Sequence, residues 1–279
     1  MSEKSVRARG KVSQTVLHAI MIISLFMVLY PLMSMVFGAF KSGTTYQTNK
    51  WLPSLPLRLT NITDAFASIG GYLKNTIIVA VLGIGGLIFI SSMASFSISK
   101  LKFKGRQVCF SMILALTMLP GVLSLTPQFL LYRQFGLQNN LFALILPMWT
   151  GGCVFGVFLL NGFYGGLPNE LFEAAELDGA GAFKQFTSVA LPLSMPIIAT
   201  LVIMQISNVW SDYLWPQIIL EEESYTIAAG LAFAFENSTS IAVPIKYGAY
   251  LLSSLPLVLL FIFFNRFYVE GLASSGIKL

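Results

Sequence analysis

Two groups of residues in this sequence have the types and spacing that chemistry requires. The first is acidic: Glu170, Glu173, Glu176 and Asp178 place four of the chain's twelve acids within nine residues. Paired carboxylates perform general acid and base chemistry when a substrate pocket excludes water around them. Here they sit in a short amphipathic passage, ELFEAAELDGAGAFKQF, with nothing beside them to form such a pocket. The second group is Gln205, Asn208 and Asp212, spaced i, i+3 and i+7 on one helical stripe, with Trp210, Tyr213 and Trp215 interleaved. Amide and carboxylate groups beside aromatic rings suit sugar hydroxyls, although aromatic residues also form interfacial belts in membranes. His18 is the sole histidine, and Cys109 and Cys153 lie inside apolar runs, so no metal site is expected. Gly-x-x-x-x-Gly-Lys-Ser/Thr is absent, so this chain is not expected to bind or hydrolyse ATP.

The elements that must position these groups follow from composition. The chain is 56% hydrophobic and 10% charged, with a mean hydropathy of +0.76. A soluble domain carries about 25% charged residues. Six charge-free stretches, 12–40, 75–99, 107–132, 134–169, 185–211 and 247–265, are each long enough to cross a bilayer as a helix. They are continuously apolar rather than alternating, which excludes a β-barrel. The expected fold is an all-α membrane protein with one transmembrane domain over 1–279. Its six transmembrane helices are placed at about 15–40, 75–99, 108–132, 139–164, 195–220 and 246–268. The first run is read as an uncleaved span rather than a secretory signal. Placing the N-terminus inside puts eleven Lys and Arg on the inner side and six outside. The positive-inside rule then makes both termini, the 100–106 loop and the 165–194 loop cytoplasmic. The net charge of +5 thus reflects topology and contact with membrane lipid, not nucleic-acid binding.

Local signals refine the picture. Pro168-Asn169 is expected to stop the fourth span, with the Asn169 side chain capping a new helix. Glu170 and Glu173 then complement the helix dipole, and Gly179 is free to take a positive φ where that helix ends. A second helix, 182–190, is expected to stop at Leu191-Pro192. TNITDAF is expected to form a separate short outer helix. Pro31, Pro120, Pro127, Pro147 and Pro256 are expected to kink their spans. Counted from Met195 at about 1.5 Å per residue, the bilayer midplane falls near Gln205. Polar groups at that depth face a bundle interior or a water-filled route. Asn61-Ile62-Thr63 and Asn237-Ser238-Thr239 match a glycosylation pattern common by chance.

The passage Glu173-Ala174-Ala175, Asp178-Gly179-Ala180, Phe186, Leu191-Pro192 and Pro196 resembles the EAA loop of bacterial ABC-transporter permeases. It is most similar to the carbohydrate-uptake branch, of the type of the maltose transporter's smaller inner-membrane subunit. NVWSDYLWPQIIL, 208–220, is similar to the Trp-Asn-Asp/Glu-aromatic-Leu-x-Pro stretch of those permeases, with Ser211 in place of the usual Asn. Span count, topology and loop placement extend the resemblance over nearly the whole chain. It implies the type I ABC importer permease fold in the bacterial cytoplasmic (inner) membrane.

The resemblance also implies a coupling role for Glu173, Ala174, Ala175, Asp178, Gly179 and Ala180, docking on a cytoplasmic ATPase. The following helix and Pro192 would pass the ATPase's movement to the fifth span. Implied partners are a second permease subunit, two ATPase subunits that carry ATP and magnesium, and an extracytoplasmic sugar-binding protein. The chain itself would be a transport subunit and not an enzyme, with no cofactor of its own. Gln205, Asn208, Asp212, Trp210 and Tyr213 are candidates to line a route for a sugar, oligosaccharide or polyol. An ion-coupled secondary transporter would need buried coupling acids near the midplane, and only Asp212 comes close. A scaffold without transport would leave the polar stripe unexplained.

Overall fold

A computed structural model describes residues 3–236 and 241–276. The Asn237-Ser238-Thr239 pattern and the ends of both termini, 1–2 and 277–279, lie outside the described residues. Among those described, helix is the only regular element. In chain order the helices begin with α1 (Glu3–Ala39), α2 (Gly43–Thr48), α3 (Thr60–Lys100), α4 (Arg106–Thr117) and α5 (Leu125–Gln134). Next come α6 (Phe142–Trp149), α7 (Gly151–Gly166), α8 (Glu170–Leu177), α9 (Ala182–Gln185) and α10 (Leu191–Leu193). The last are α11 (Met195–Ser211), α12 (Leu214–Ile219), α13 (Ile227–Glu236) and α14 (Val243–Gly276).

Among the described residues, four stretches are long and apolar enough to cross a membrane: Val16–Ala39, Thr60–Lys100, Phe142–Gly166 and Val243–Phe264. Two bent pairs bring the count to six if each is one span. Arg106–Thr117 and Gly121–Gln134 meet at 91°, and Ala182–Leu193 and Met195–Ser211 meet at 72°. The 91° bend falls at Pro120, whose extended backbone (φ −61°, ψ 124°) cannot continue α4. Pro31 and Pro256 instead lie within uninterrupted helices. TNITDAF does not form a separate helix. It is the first turns of α3, which runs 41 residues because no proline interrupts it and the Gly70-Gly71 pair is tolerated.

The chain divides into two compact units, 1–68 with 238–254 and 69–237 with 255–279. In the first, the Tyr46 and Tyr247 hydroxyls share a hydrogen bond at 3.0 Å. Asn61 donates its amide to the carbonyls of Ala39 (2.8 Å) and Lys41 (2.7 Å), which fixes the chain as it leaves α1. The buried Lys41 side chain donates to the carbonyl of Asn49 at 2.7 Å.

In the second unit α3 packs closely on α6 and α7. The hydroxyls of Ser91 and Ser95 donate across to the carbonyls of Cys153 (3.4 Å) and Val157 (3.1 Å). The Trp149 indole N–H donates to the carbonyls of Leu82 (3.1 Å) and Gly83 (3.2 Å). Any Cβ at Gly86 would collide with that indole, so glycine is what allows the approach. Small and hydroxylated residues at such seams replace the hydrophobic drive that lipid cannot supply. One apolar cluster gathers Val79, Ile84, Tyr132, Ile145, Trp215, Ile219 and Tyr225. Another gathers Leu87, Phe96, Leu160, Tyr164, Phe172, Phe186 and Leu201.

Candidate functional site

The acidic passage forms a capped helix held from below. Leu167 is extended (ψ 137°) ahead of Pro168, which ends α7. The Asn169 carbonyl accepts the N–H groups of Phe172 (2.9 Å) and Glu173 (3.0 Å), so α8 starts where expected. Its side chain does not cap the helix as the sequence predicts. Asn169 Oδ1 instead accepts from Lys100 Nζ at 3.0 Å, and the same ammonium donates to the Leu167 carbonyl at 2.7 Å. A cation in reach outcompetes a backbone amide for that oxygen, because charge-assisted bonds are the stronger. Lys100 also lies 4.9 Å above the Phe172 ring. Phe172, buried on the underside of α8, packs 6.0 Å from Phe96 of α3, and Phe96 packs 5.5 Å from Phe186.

The other end closes as expected. Gly179 takes φ +81°, and the Ala180 N–H reaches the Ala175 carbonyl at 2.9 Å. Glu173, Ala174, Asp178 and Gly179 are exposed, while Ala175 and Ala180 are half-buried. Leu177 is 90% exposed, an apolar tip on an acidic helix. The expected 182–190 helix continues to Leu193, through a wide π-helical turn at Phe186–Ala190. Pro192 has no N–H to offer the preceding turn, and the Leu191 N–H reaches back five residues to the Phe186 carbonyl. Beyond it, Ser194 and Tyr164, both fully buried, bond hydroxyl to hydroxyl at 3.1 Å and tie α7 to the start of α11.

The second candidate group gathers around a cavity of about 330 Å³. Gln205, Asn208 and Asp212 all line it, as does Gln128 of α5, Thr226 and, from α12, Trp215. The helix of the expected fifth span ends at Ser211, and Asp212 is extended (φ −73°, ψ 109°). This turns Asp212 Oδ1 to accept the Trp215 N–H at 3.3 Å, over the first turn of α12. The Trp215 indole is fixed in turn, donating to the Ala143 carbonyl at 2.9 Å and standing edge-on to Tyr132 at 6.0 Å. Thr226 is 1% exposed and its hydroxyl has no hydrogen-bond partner. Trp210 and Tyr213, the other two residues singled out from sequence, are not in the cavity wall: Trp210 is buried and Tyr213 exposed. Gln128 and Thr226 were missed. Gln128 carries a signal, being an amide within an apolar span just after Pro127, whereas nothing local distinguishes Thr226.

The helical arrangement, with its anchored acidic loop and a cavity that carries several polar groups, is the ABC importer permease fold. That fold is shared with a chain in the crystal structure of a bacterial ABC transporter involved in the import of the acidic polysaccharide alginate. The TM-score is 0.80 at 22% identity, over 96% of this chain and 99% of that one. The chain belongs to the family of binding-protein-dependent transport system inner membrane components, whose model matches residues 86–271. It is similar to the maltodextrin transport system permease protein MalD of Streptococcus pneumoniae, 27% identical over 98% of this chain and 99% of that protein. It is also similar to the arabinooligosaccharides transport system permease protein AraQ of Halalkalibacterium halodurans, 30% identical over 91% of this chain and 92% of that protein. The chain is thus a membrane-embedded transport permease.

Proposed function

We propose that this chain forms half of the route of an ATP-driven importer for a sugar, oligosaccharide or related polyol. A second permease supplies the other half, and an extracytoplasmic binding protein delivers the cargo. Two cytoplasmic ATPase subunits hold the ATP and magnesium. The relatives named for maltodextrin and arabinooligosaccharides support the carbohydrate class. The observation that carries the coupling is α8 itself. Its underside is fastened to α3 through Phe172 and Lys100, while Leu177, Glu173 and Asp178 are presented outward. An eight-residue helix is marginal alone. Fastened at one side and bare at the other, it suits a joint that docks in a partner's groove. Glu173, Ala174, Ala175, Asp178, Gly179 and Ala180 form the docking surface, on the cytoplasmic side with both termini.

The test is purification with and without the ATPase. The permease alone should hydrolyse no ATP above background, and the complete transporter should couple hydrolysis to uptake. Gly179→Asp should abolish assembly or coupling while membrane insertion persists. Turnover that follows this polypeptide alone, or normal uptake with Gly179→Asp, overturns the division of labour.

A further inference from the structure

The cavity described above carries more than a place on a route. Its wall offers amides from Gln128, Gln205 and Asn208, with Thr226 closed off behind it. Amides and hydroxyls both donate and accept, as sugar hydroxyls do. The only charge among the lining residues is Asp212, with no Lys, Arg or His to balance it. A volume of about 330 Å³ lies at the lower end of the ~300–1,000 Å³ of ligand pockets, which suits a small unit rather than a long chain.

We propose that this cavity is a binding subsite, contributed by this subunit, for one neutral hydroxyl-rich unit of the transported solute, and that Asp212 turns carboxylated sugars away. The proposal rests on the importer reading and adds to it a site and a charge preference. A ligand carboxylate would enter beside Asp212 with no cation among the lining residues to compensate. Trp215, pinned by its bond to Ala143, supplies a rigid apolar wall against which the C–H face of a ring can rest. The alginate transporter shares the fold but is involved in importing an acidic polysaccharide. The shared fold therefore does not by itself dictate charge preference.

The test places Met148→Cys, in the cavity wall, in a Cys109→Ser, Cys153→Ala background of the complete transporter in lipid nanodiscs without binding protein. Cationic and anionic methanethiosulfonate reagents are compared, each rate divided by its rate with a free thiol. The cationic reagent should react at least about tenfold faster, and the ratio should collapse in Asp212→Asn. Asp212→Ser, which keeps an acceptor for the Trp215 amide, serves as the second variant should Asp212→Asn fail to assemble. In a panel of disaccharides, at least one neutral member should slow labelling and no uronic-acid member should. Gln205→Leu should raise the protecting concentration about tenfold or more, the scale of losing one hydrogen bond to a ligand. Protection by uronates equal to that by neutral sugars, a charge ratio that survives both Asp212 variants, or no protection at all overturns the subsite. In sealed proteoliposomes supplied with the binding protein, ATP-driven uptake that persists although the nanodiscs show no protection removes only the subsite. Absence of ATP-driven uptake of any solute removes the importer reading itself.

Discussion

Gly179 sits at φ +81° with open space where a Cβ would project, so nothing in this chain would be crowded by a side chain there. A failure of Gly179→Asp to assemble or couple would therefore not stem from crowding within this chain, and variants can separate backbone strain from charge at the proposed docking surface. Gly179→Ala should lower the melting midpoint through backbone strain alone, about 1 kcal/mol. Gly179→Asn, which tolerates the left-handed region, should melt near the parent and still couple, whereas Gly179→Asp should fold and fail to couple. Equal uptake from the Asn and Asp variants would remove charge from the interface. Thr226 poses the opposite trade. Exchanging its unpartnered hydroxyl for a methyl in Thr226→Val should stabilise the protein by about 1 kcal/mol, read as a raised midpoint in detergent. A drop in midpoint would mean that the hydroxyl is satisfied after all.

At the scale of elements, α8 is tied to α3 as well as to the segment leading into α11. The Phe172 ring packs on Phe96, and Lys100 reaches both Leu167 and Asn169. Under the proposed coupling, a push on α8 would reach α3 directly, in addition to the path through Pro192 that the family resemblance implies. Lys100→Met, which removes both charged bonds but keeps the stem, should leave ATP hydrolysis in the assembled transporter while solute moved per ATP falls. Phe172→Ala should do the same at a stability cost of about 3–5 kcal/mol. An unchanged ratio of solute to ATP in both would confine the signal to α11.

These contacts also mark the limit of what sequence shows. The start of α8, the glycine turn and the polar stripe from Gln205 to Asn208 are local patterns and were legible. That Asn169 would bond a lysine 69 positions away was not. Nor was the convergence of Gln128 and Thr226 on that stripe, because it depends on how helices cross. Hydropathy located the apolar runs but could not tell a broken span from a straight one: Pro120 bends its pair by 91°, while Pro31 lies within unbroken helix.

For the whole molecule, the six-span arrangement proposed here puts Lys104 and Lys184 on one side of the membrane and Lys50 and Glu223 on the other. Single cysteines at these positions, probed in intact cells with an impermeant reagent, should label only at 50 and 223. Labelling at 104 or 184 would reverse or break the topology. The bend at Met118–Pro120 bears on the life of the protein in the cell. Met118, Leu119, Val122 and Leu123 around it are 82%, 64%, 74% and 71% exposed, near the middle of the expected third span. Hydrocarbon cannot satisfy the backbone groups that such a break frees, so a protein neighbour must cover it. The proposed second permease is the expected neighbour. Copies made in excess of it would carry a bare discontinuity in the membrane, the kind of lesion that surveillance proteases recognise. Pulse-chase without the second permease should show rapid turnover, so the amount of one subunit that survives would be set by the supply of the other.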